Sequence, residues 1–241
     1  MNIRLPAIIT GLTMLLTLAF FNFFQSVKSV AIDLQTNHHP VTVVPAAEGF
    51  ETEILFTVVI DPGHGGKDTG AQGASGKYEK DFTLSLSKKI AGRLEQHPEI
   101  KVYLTRETDT FQSAKRGERQ EFANQLGADI FISIHGNTFS DPSVSGTETY
   151  YYSGNSLELA RILHHHVVSA TGFVDRGVRQ EEFLVLKDTN MPAVLLEIGY
   201  LTNPDNEAKM FNPLFQQQIA DAVCEGIFEY LKLPFNQRNK H

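Results

Sequence analysis

Short apolar runs along the chain alternate with segments in which apolar residues recur every three or four positions. The run Ile54–Ile60 is almost continuously apolar, as expected of a strand that is covered on both faces. The next segment carries four apolar residues at helical spacing and predicts a helix over about residues 81–97. This alternation predicts an α/β domain with a mostly parallel or mixed sheet.

The same pattern predicts the remaining elements. The further strands are expected at 101–105, 129–134, 147–152, 183–186 and 193–198. The further helices are expected over 114–126 with Gly127 as C-cap, from Ser156 to about 171, and from Asn212 and Pro213 onward. The strand at 147–152 alternates in polarity, which places it nearer an edge of the sheet.

The N-terminus differs in kind from the rest of the chain. Arg4 precedes the largely apolar run Leu5–Phe24, a pattern typical of an export signal. Small residues at positions 29 and 31 would allow cleavage after Ala31, whereas the length of about 20 residues would also suit a retained membrane anchor. Both alternatives stay open, and both place the remaining chain outside the cytoplasmic membrane.

The chain is therefore expected to have four parts: a signal peptide or N-terminal membrane anchor (1–31), a polar linker (32–53), a catalytic domain (54–233) and a tail (234–241). The N-terminal segment would contact the membrane at least during export. The expected location is periplasmic, or elsewhere in the cell envelope or outside the cell.

Composition narrows the possible partners. Hydrophobic residues at 41% and charged residues at 20% are typical of a globular domain, and the net charge of −7 argues against a nucleic-acid partner. Cys224 is the single cysteine, so the chain has no intramolecular disulfide and no cysteine-based zinc cluster. We expect this thiol to be a small buried residue of the last helix, with a catalytic thiol as the weaker alternative.

Polar residues follow or interrupt three of the predicted strands near their carboxyl ends. His64 follows the first strand within the glycine-rich sequence DPGHGG, and His135 follows the apolar sequence IFISI. Glu197 lies inside the apolar sequence VLLEIG, where a carboxylate is costly unless it is paired, binds a metal or reaches solvent. A salt bridge to an arginine is the competing interpretation of Glu197.

A fourth candidate, Glu79, lies at the start of the first helix, where an acid that merely complements the helix dipole is common. Two histidines, one carboxylate ligand and a second carboxylate as general base are the components of a hydrolytic zinc site. Residue chemistry thus indicates a possible metallohydrolase. The run 164–166 of three histidines is instead expected on a solvated helix surface, because consecutive helical residues point in different directions.

Several segments together resemble the zinc-dependent N-acetylmuramoyl-L-alanine amidases of the amidase_3 type. They are VVIDPGHGGKDTGA, YEKDFTL, VYLTRETD, RQEFANQLGADIFISIHGN, GTETYYY and MPAVLLEIGYLTNPDNE, and the resemblance covers residues 58 to about 231. It implies a single α/β domain with a central, mainly parallel six-stranded sheet flanked by helices on both faces. It also implies that His64, Glu79 and His135 bind one Zn²⁺ and that Glu197 is the catalytic residue.

The resemblance implies a peptidoglycan hydrolase that cleaves the amide bond between N-acetylmuramic acid and the L-alanine of the stem peptide. A non-catalytic wall-binding module of the same fold remains an alternative. A zinc carboxypeptidase is another, although Lys67 stands where an HxxE motif would need its acid. Some relatives carry a long helix that plugs the zinc site, and the short stretch between His135 and Ser156 leaves no room for one. We therefore expect no obligatory activator.

Overall fold

The computed structural model describes residues 53–234, and all structural statements below concern this part of the chain. Its strands are β1 (Phe56–Pro62), β2 (Ile100–Leu104), β3 (Ile130–Asn137), β4 (Thr147–Tyr151), β5 (Asp175–Gln180) and β6 (Ala193–Tyr200). Its α-helices are α1 (Glu79–Leu94), α2 (Glu118–Leu126), α3 (Leu157–Thr171), α4 (Pro204–Met210) and α5 (Pro213–Leu231).

The six strands form one sheet in the order β2-β1-β3-β6-β4-β5. Strand β1 pairs in parallel with β2 and β3, β3 pairs in parallel with β6, and β4 with β5. The single antiparallel pairing joins β4 to β6 within the described chain. The predicted six-stranded, mainly parallel sheet is confirmed. Because β4 runs in the opposite direction, its first residues lie at the same edge as the carboxyl ends of β1, β3 and β6.

Alternate residues of the central strands pack against opposite layers of the domain. Val58 and Ile60 of β1 face the core that is shared with α1, α3 and α5. Val59 faces the second core, which includes Ala123 of α2 and Leu186 of the segment between β5 and β6. Each fully buried aliphatic side chain contributes roughly 1.5–3 kcal/mol through the hydrophobic effect. Helices thus cover both faces of the sheet, as predicted.

The predicted strand at 183–186 is wrong, since this segment forms successive turns. Val185 and Leu186 are apolar because they pack into the core beside α2, not because they pair in the sheet. The fifth strand is β5 instead, an edge strand whose residues are partly or fully exposed. Its sequence, DRGVRQ, contains one apolar residue and carries no recognisable strand pattern.

Three residues that the sequence indicated as helix ends, Gly127, Asn212 and Ser156, have mixed outcomes. Gly127 is the predicted left-handed C-cap of α2, but Gly117 (φ 68°) separates that helix from a 3₁₀ turn at 114–116. The Asn212 side chain caps α5 by accepting hydrogen bonds from two N–H groups of its first turn. Ser156 precedes α3 without capping it, because its hydroxyl accepts a bond from the Ala193 N–H. The short helix α4 was not predicted.

Cys224 is fully buried, and burial raises the pKa of its thiol well above the usual value, which agrees with the expected structural role. The predicted segment 1–31, all of the linker except residue 53, and all of the tail except residue 234 lie outside the described residues. Among residues 53–234, none of the helices combines the length and the apolar character that crossing a bilayer requires.

Candidate metal centre

His64 lies in the turn that follows β1, and the structure places its ring between two acids. Its φ of 61° is in the left-handed region, which residues other than glycine seldom adopt. The Nδ1 atom lies 3.0 Å from Oδ1 of Asp68, and the Nε2 atom lies 3.1 Å from Oε2 of Glu79. Asp68 therefore orients the imidazole so that Nε2 faces Glu79.

His135 reaches the same place from β3. Its Nδ1 atom lies 2.9 Å from Oε1 of Glu79, and its ring centroid is 5.0 Å from that of His64. Glu197 of β6 is the direct partner of His135 in the parallel pairing of the two strands. The predicted convergence of His64, His135 and Glu197 on one edge of the sheet is confirmed.

Glu79 is the first residue of α1, and its carboxylate is almost completely enclosed. Besides the two imidazoles, it accepts hydrogen bonds from the N–H groups of Ala71 (2.9 Å) and Gly136 (3.0 Å). Burial raises the pKa of Glu79, but hydrogen bonds and charge attraction from His135 and His64 outweigh that effect and hold it far below the usual range. The position therefore does more than complement a helix dipole.

His64, Glu79 and His135 can each present a ligand atom such that all three atoms lie within 4.8 Å of one another. Two imidazole nitrogens and one carboxylate oxygen suit Zn²⁺ and similar divalent ions. In such sites a histidine that binds the metal through one ring nitrogen commonly bonds to a carboxylate through the other. Asp68 occupies that position beside Nδ1 of His64. The residues present therefore fit a bound metal ion.

Glu197 differs from Glu79 in that one of its carboxylate oxygens has no partner among the described residues. Its Oε2 atom is buried and has no hydrogen-bond partner among residues 53–234, and no arginine of this part forms a salt bridge with it. Burial, followed by the negative charges of Glu79 and Glu148, raises the pKa of Glu197 well above the usual value. The salt-bridge alternative is thus wrong, and the carboxylate remains available for proton transfer.

Glu148 is a buried acid near the site that the sequence did not single out. It is the direct partner of Glu197 in the antiparallel pairing of β4 with β6. Its carboxylate accepts four hydrogen bonds, from Asn137, Tyr150, Arg176 and Tyr200. Burial raises the pKa of Glu148, yet the bonds from Tyr150 and Arg176 lower it below the usual value. Neighbouring carboxylates with opposite pKa shifts are typical of sites that move protons.

The side chains of His64, Glu79 and His135 line a cavity of about 620 Å³, which is within the size range of ligand pockets. Glu197 lies in the same wall, and Phe183, Leu184 and Val185 form an apolar part of the lining. Phe183 and Leu184 remain 38% and 53% exposed, so this part is open to solvent. The apolar run that was predicted as a strand therefore builds the rim of the cavity.

The histidine run on α3 has no part in this site, but the expectation of a solvated surface is wrong for one of its members. His164 is buried and bridges two strands, with Nδ1 3.0 Å from the Thr149 hydroxyl and Nε2 2.8 Å from Asp175. His165 is exposed, while His166 is partly buried and lies beside Glu229. The run is structural in the described part of the chain.

Comparison with known proteins places the chain in a family. The profile described as N-acetylmuramoyl-L-alanine amidase, Amidase_3, matches residues 58–229, which is most of the chain. The chain belongs to the Amidase_3 family. The uncharacterized protein YqiI of Bacillus subtilis is 39% identical over 194 residues, which cover 79% of this chain and 92% of YqiI. Against curated cell-wall amidases, this Amidase_3 chain spans only 36% to 58% of the relative's length.

Solved structures agree with this family assignment. The catalytic domain of CwlV, an N-acetylmuramoyl-L-alanine amidase from Bacillus (Paenibacillus) polymyxa var. colistinus, is 44% identical with a TM-score of 0.73. The match covers 75% of this chain and all of that one. The CwlD amidase from Clostridioides difficile, solved in complex with the GerS lipoprotein, is 30% identical with a TM-score of 0.67 and covers 73% and 98% of the two chains. Both share the amidase fold described above.

Gly63 lies in close contact with the His135 ring in this Amidase_3 site. A Cβ atom at Gly63 would lie 2.6 Å from Nε2 of His135, whereas a Cβ atom at Gly92 on α1 would meet no atom within 4 Å. We expect Gly63→Ala to displace the imidazole and weaken zinc binding about tenfold or more. The matched control Gly92→Ala should leave zinc binding unchanged and stabilise the helix by up to about 1 kcal/mol.

Both variants would be measured by competition with a chromophoric chelator and by urea unfolding. Zinc affinity equal to that of the wild type in Gly63→Ala would show that the His135 ring tolerates the added methyl group.

Proposed function

We propose that this chain is a zinc-dependent hydrolase that cleaves the amide bond between the lactyl group of N-acetylmuramic acid and the L-alanine of the stem peptide in peptidoglycan. The observation that carries the proposal is the buried Oε2 atom of Glu197, which has no partner within residues 53–234 and belongs to the strand neighbour of His135 in the group of His64, Glu79 and His135. A metal-binding group and a free carboxylate with a raised pKa are the two parts that metal-assisted hydrolysis requires.

In the proposed reaction, His64, Glu79 and His135 hold the ion, and Glu197 moves the proton. A Zn²⁺ ion held by these three residues would act as a Lewis acid toward the amide carbonyl and would make the attacking water more acidic. Glu197 accepts a proton from the attacking water at its unpaired carboxylate and transfers it to the departing alanine nitrogen. Its buried, partner-free position favours both steps, because a carboxylate with a raised pKa is a stronger base and its protonated form is readily available.

The Amidase_3 assignment and the names of the cell-wall amidases among the relatives support peptidoglycan as the substrate and the cell envelope as the location. Activity without an activator is also part of the proposal. Residues 138–146, between β3 and β4, contain no helix, and the cavity beside Glu197 is open to solvent. The CwlD amidase was solved with a lipoprotein, so independence from a partner needs a direct test.

Mass spectrometry of peptidoglycan digested by the purified chain, with no other protein added, tests the proposal. We expect intact stem peptides that begin with a free L-alanine amine, and we expect a chelator to abolish their release. Stem peptides shortened from the carboxyl end would identify a carboxypeptidase. Wall binding without any cleavage would identify a non-catalytic module. If stem peptides were released only after addition of a second protein, activator independence would be wrong, but the proposed amidase activity would stand.

A further inference from the structure

The segment that links β2 to α2 wraps around the turn that carries His64. We call Pro62–Gly66 the His64 loop. Three side chains bond to the backbone of this loop: Arg106 and Asp109 belong to the linking segment, and Arg119 belongs to the first turn of α2. None of these three residues is a member of the proposed ligand set.

Arg119 reaches the His64 loop from α2. Its guanidinium donates hydrogen bonds to the carbonyl oxygens of Pro62 (2.8 Å) and His64 (2.7 Å) and forms an ion pair with Asp61 (2.5 Å). The residue is only 3% exposed although it contributes to the cavity lining. These donors point at the backbone and at Asp61, so Arg119 is suited to fixing the loop rather than to binding a substrate.

Arg106, two residues after the end of β2, supports the same loop and is equally buried. Its Nε donates to the Pro62 carbonyl (3.0 Å), and one terminal nitrogen donates to the Gly63 carbonyl (2.9 Å). The same nitrogen also bonds to the carbonyl of Lys80, the residue next to Glu79 on α1. Arg106 therefore connects the His64 loop to the start of the helix that carries the second ligand.

Asp109 holds the far end of the loop and is half exposed. Its carboxylate accepts a bond from the Gly66 N–H (2.7 Å), and its other oxygen pairs with Nζ of Lys80 (2.6 Å). That Nζ atom also donates to the Gly66 carbonyl (3.0 Å). Asp109 thus fixes the backbone of Gly66 in two ways: by its own hydrogen bond and through Lys80, which bonds to both.

These contacts matter because His64 adopts a left-handed backbone conformation that it would seldom adopt unaided. Such a conformation persists only where the surroundings fix it, and here bonds from the two arginines and Asp109 fix the carbonyl oxygens of residues 62–64 and the N–H of residue 66. We propose that Arg106, Asp109 and Arg119 are positioning residues that keep His64 directed at Glu79 and so preorganise the metal site. The inference rests on the proposed zinc site.

The principal test uses Asp109→Ala, because a half-exposed residue can be changed without threatening the fold. Loss of one bond to the His64 loop should raise the zinc dissociation constant about two- to tenfold. The matched control is Glu107→Ala, since Glu107 is an exposed acid of the same segment that shows no hydrogen bond to the loop within residues 53–234. Zinc binding would be measured by chelator competition, without substrate.

A second variant, Arg119→Lys, keeps the charge beside Asp61 but loses the planar fork that bonds to two carbonyls. We expect zinc affinity to fall about 10- to 100-fold. Ile227→Val, which loosens the core on the other face of the sheet, controls for general destabilisation and should leave zinc affinity unchanged. The increase in melting temperature on adding zinc should shrink in Arg119→Lys but not in Ile227→Val.

The outcomes separate the inference from the proposed function. If the wild type binds zinc and Asp109→Ala and Arg119→Lys bind it equally well, the positioning role is wrong and the metal site stands. If the wild type binds no zinc, the proposed metal centre fails and the inference fails with it. If Arg119→Lys does not fold, the result for Asp109→Ala against its Glu107 control decides the question.

Discussion

Glu197→Gln should reduce the rate of stem-peptide release by about 10²- to 10⁴-fold, the usual contribution of a positioned general acid–base group. The amide has nearly the same size as the carboxylate but cannot take up the proton from water. Since Glu197 is not in the proposed ligand set, we expect the variant to retain one zinc ion per chain. Release rates from purified peptidoglycan and the zinc content of the same samples measure both quantities.

The pH dependence provides a second signature of Glu197. A base acts only when deprotonated, so the wild-type rate at saturating zinc should fall as the pH drops through the pKa of Glu197. At the same saturating zinc, this acidic limb should be absent in the glutamine variant. Glu121→Gln, an exposed change on α2, serves as the control and should retain both rate and limb. An undiminished rate in Glu197→Gln would remove this residue from its proposed role.

His64→Ala should abolish stoichiometric zinc binding and lower the rate by roughly 10³-fold or more, about as far as removing the ion itself. Residues that act as one unit are strongly non-additive, so loss of one ligand should cost nearly as much as loss of the metal. Chelator treatment of the wild type followed by zinc addition should restore activity, whereas the variant should not recover. His165→Ala, at an exposed histidine of α3, is the matched control.

Zinc affinity should also weaken as the pH falls. Burial lowers the pKa of His64, but hydrogen bonds and charges from Glu79 and Asp68 outweigh it and raise the pKa above the usual value. A protonated imidazole cannot bind a metal, so protons compete with zinc at and below this raised pKa. Stoichiometric zinc in His64→Ala with wild-type affinity at every pH would show that the ion binds elsewhere.

The sequence predicts much of the site, because parallel topology brings strand ends together. His64 and His135 follow apolar strands, and Glu197 interrupts a third, so a parallel sheet must gather them at one edge. Glu79 could not be assigned in this way, since an acid in a first helical turn has an ordinary explanation. Only the combination of several family-like segments identified it as a candidate ligand, and its contacts with both imidazoles agree with that assignment.

The failures have a physical reason as well. The apolar run at 183–186 suggested burial in a sheet, but only Val185 and Leu186 are buried, and burial beside a helix leaves the same local pattern. Strand β5 can be polar because it lies at the edge of the sheet, where its residues stay partly or fully exposed. Glu148 was missed because its importance lies in cross-strand register, which depends on β4 being antiparallel to β6.

The polar sequence of β5 also bears on how the protein behaves at high concentration. An unpaired strand edge offers free N–H and C=O groups to the sheets of other molecules, which promotes edge-to-edge aggregation. Here the outer strand carries two arginines, a glycine with a φ of 88°, and a shift in its register with β4. Charge and irregular backbone geometry both discourage a further strand from adding there, so this side of the sheet is protected against self-association.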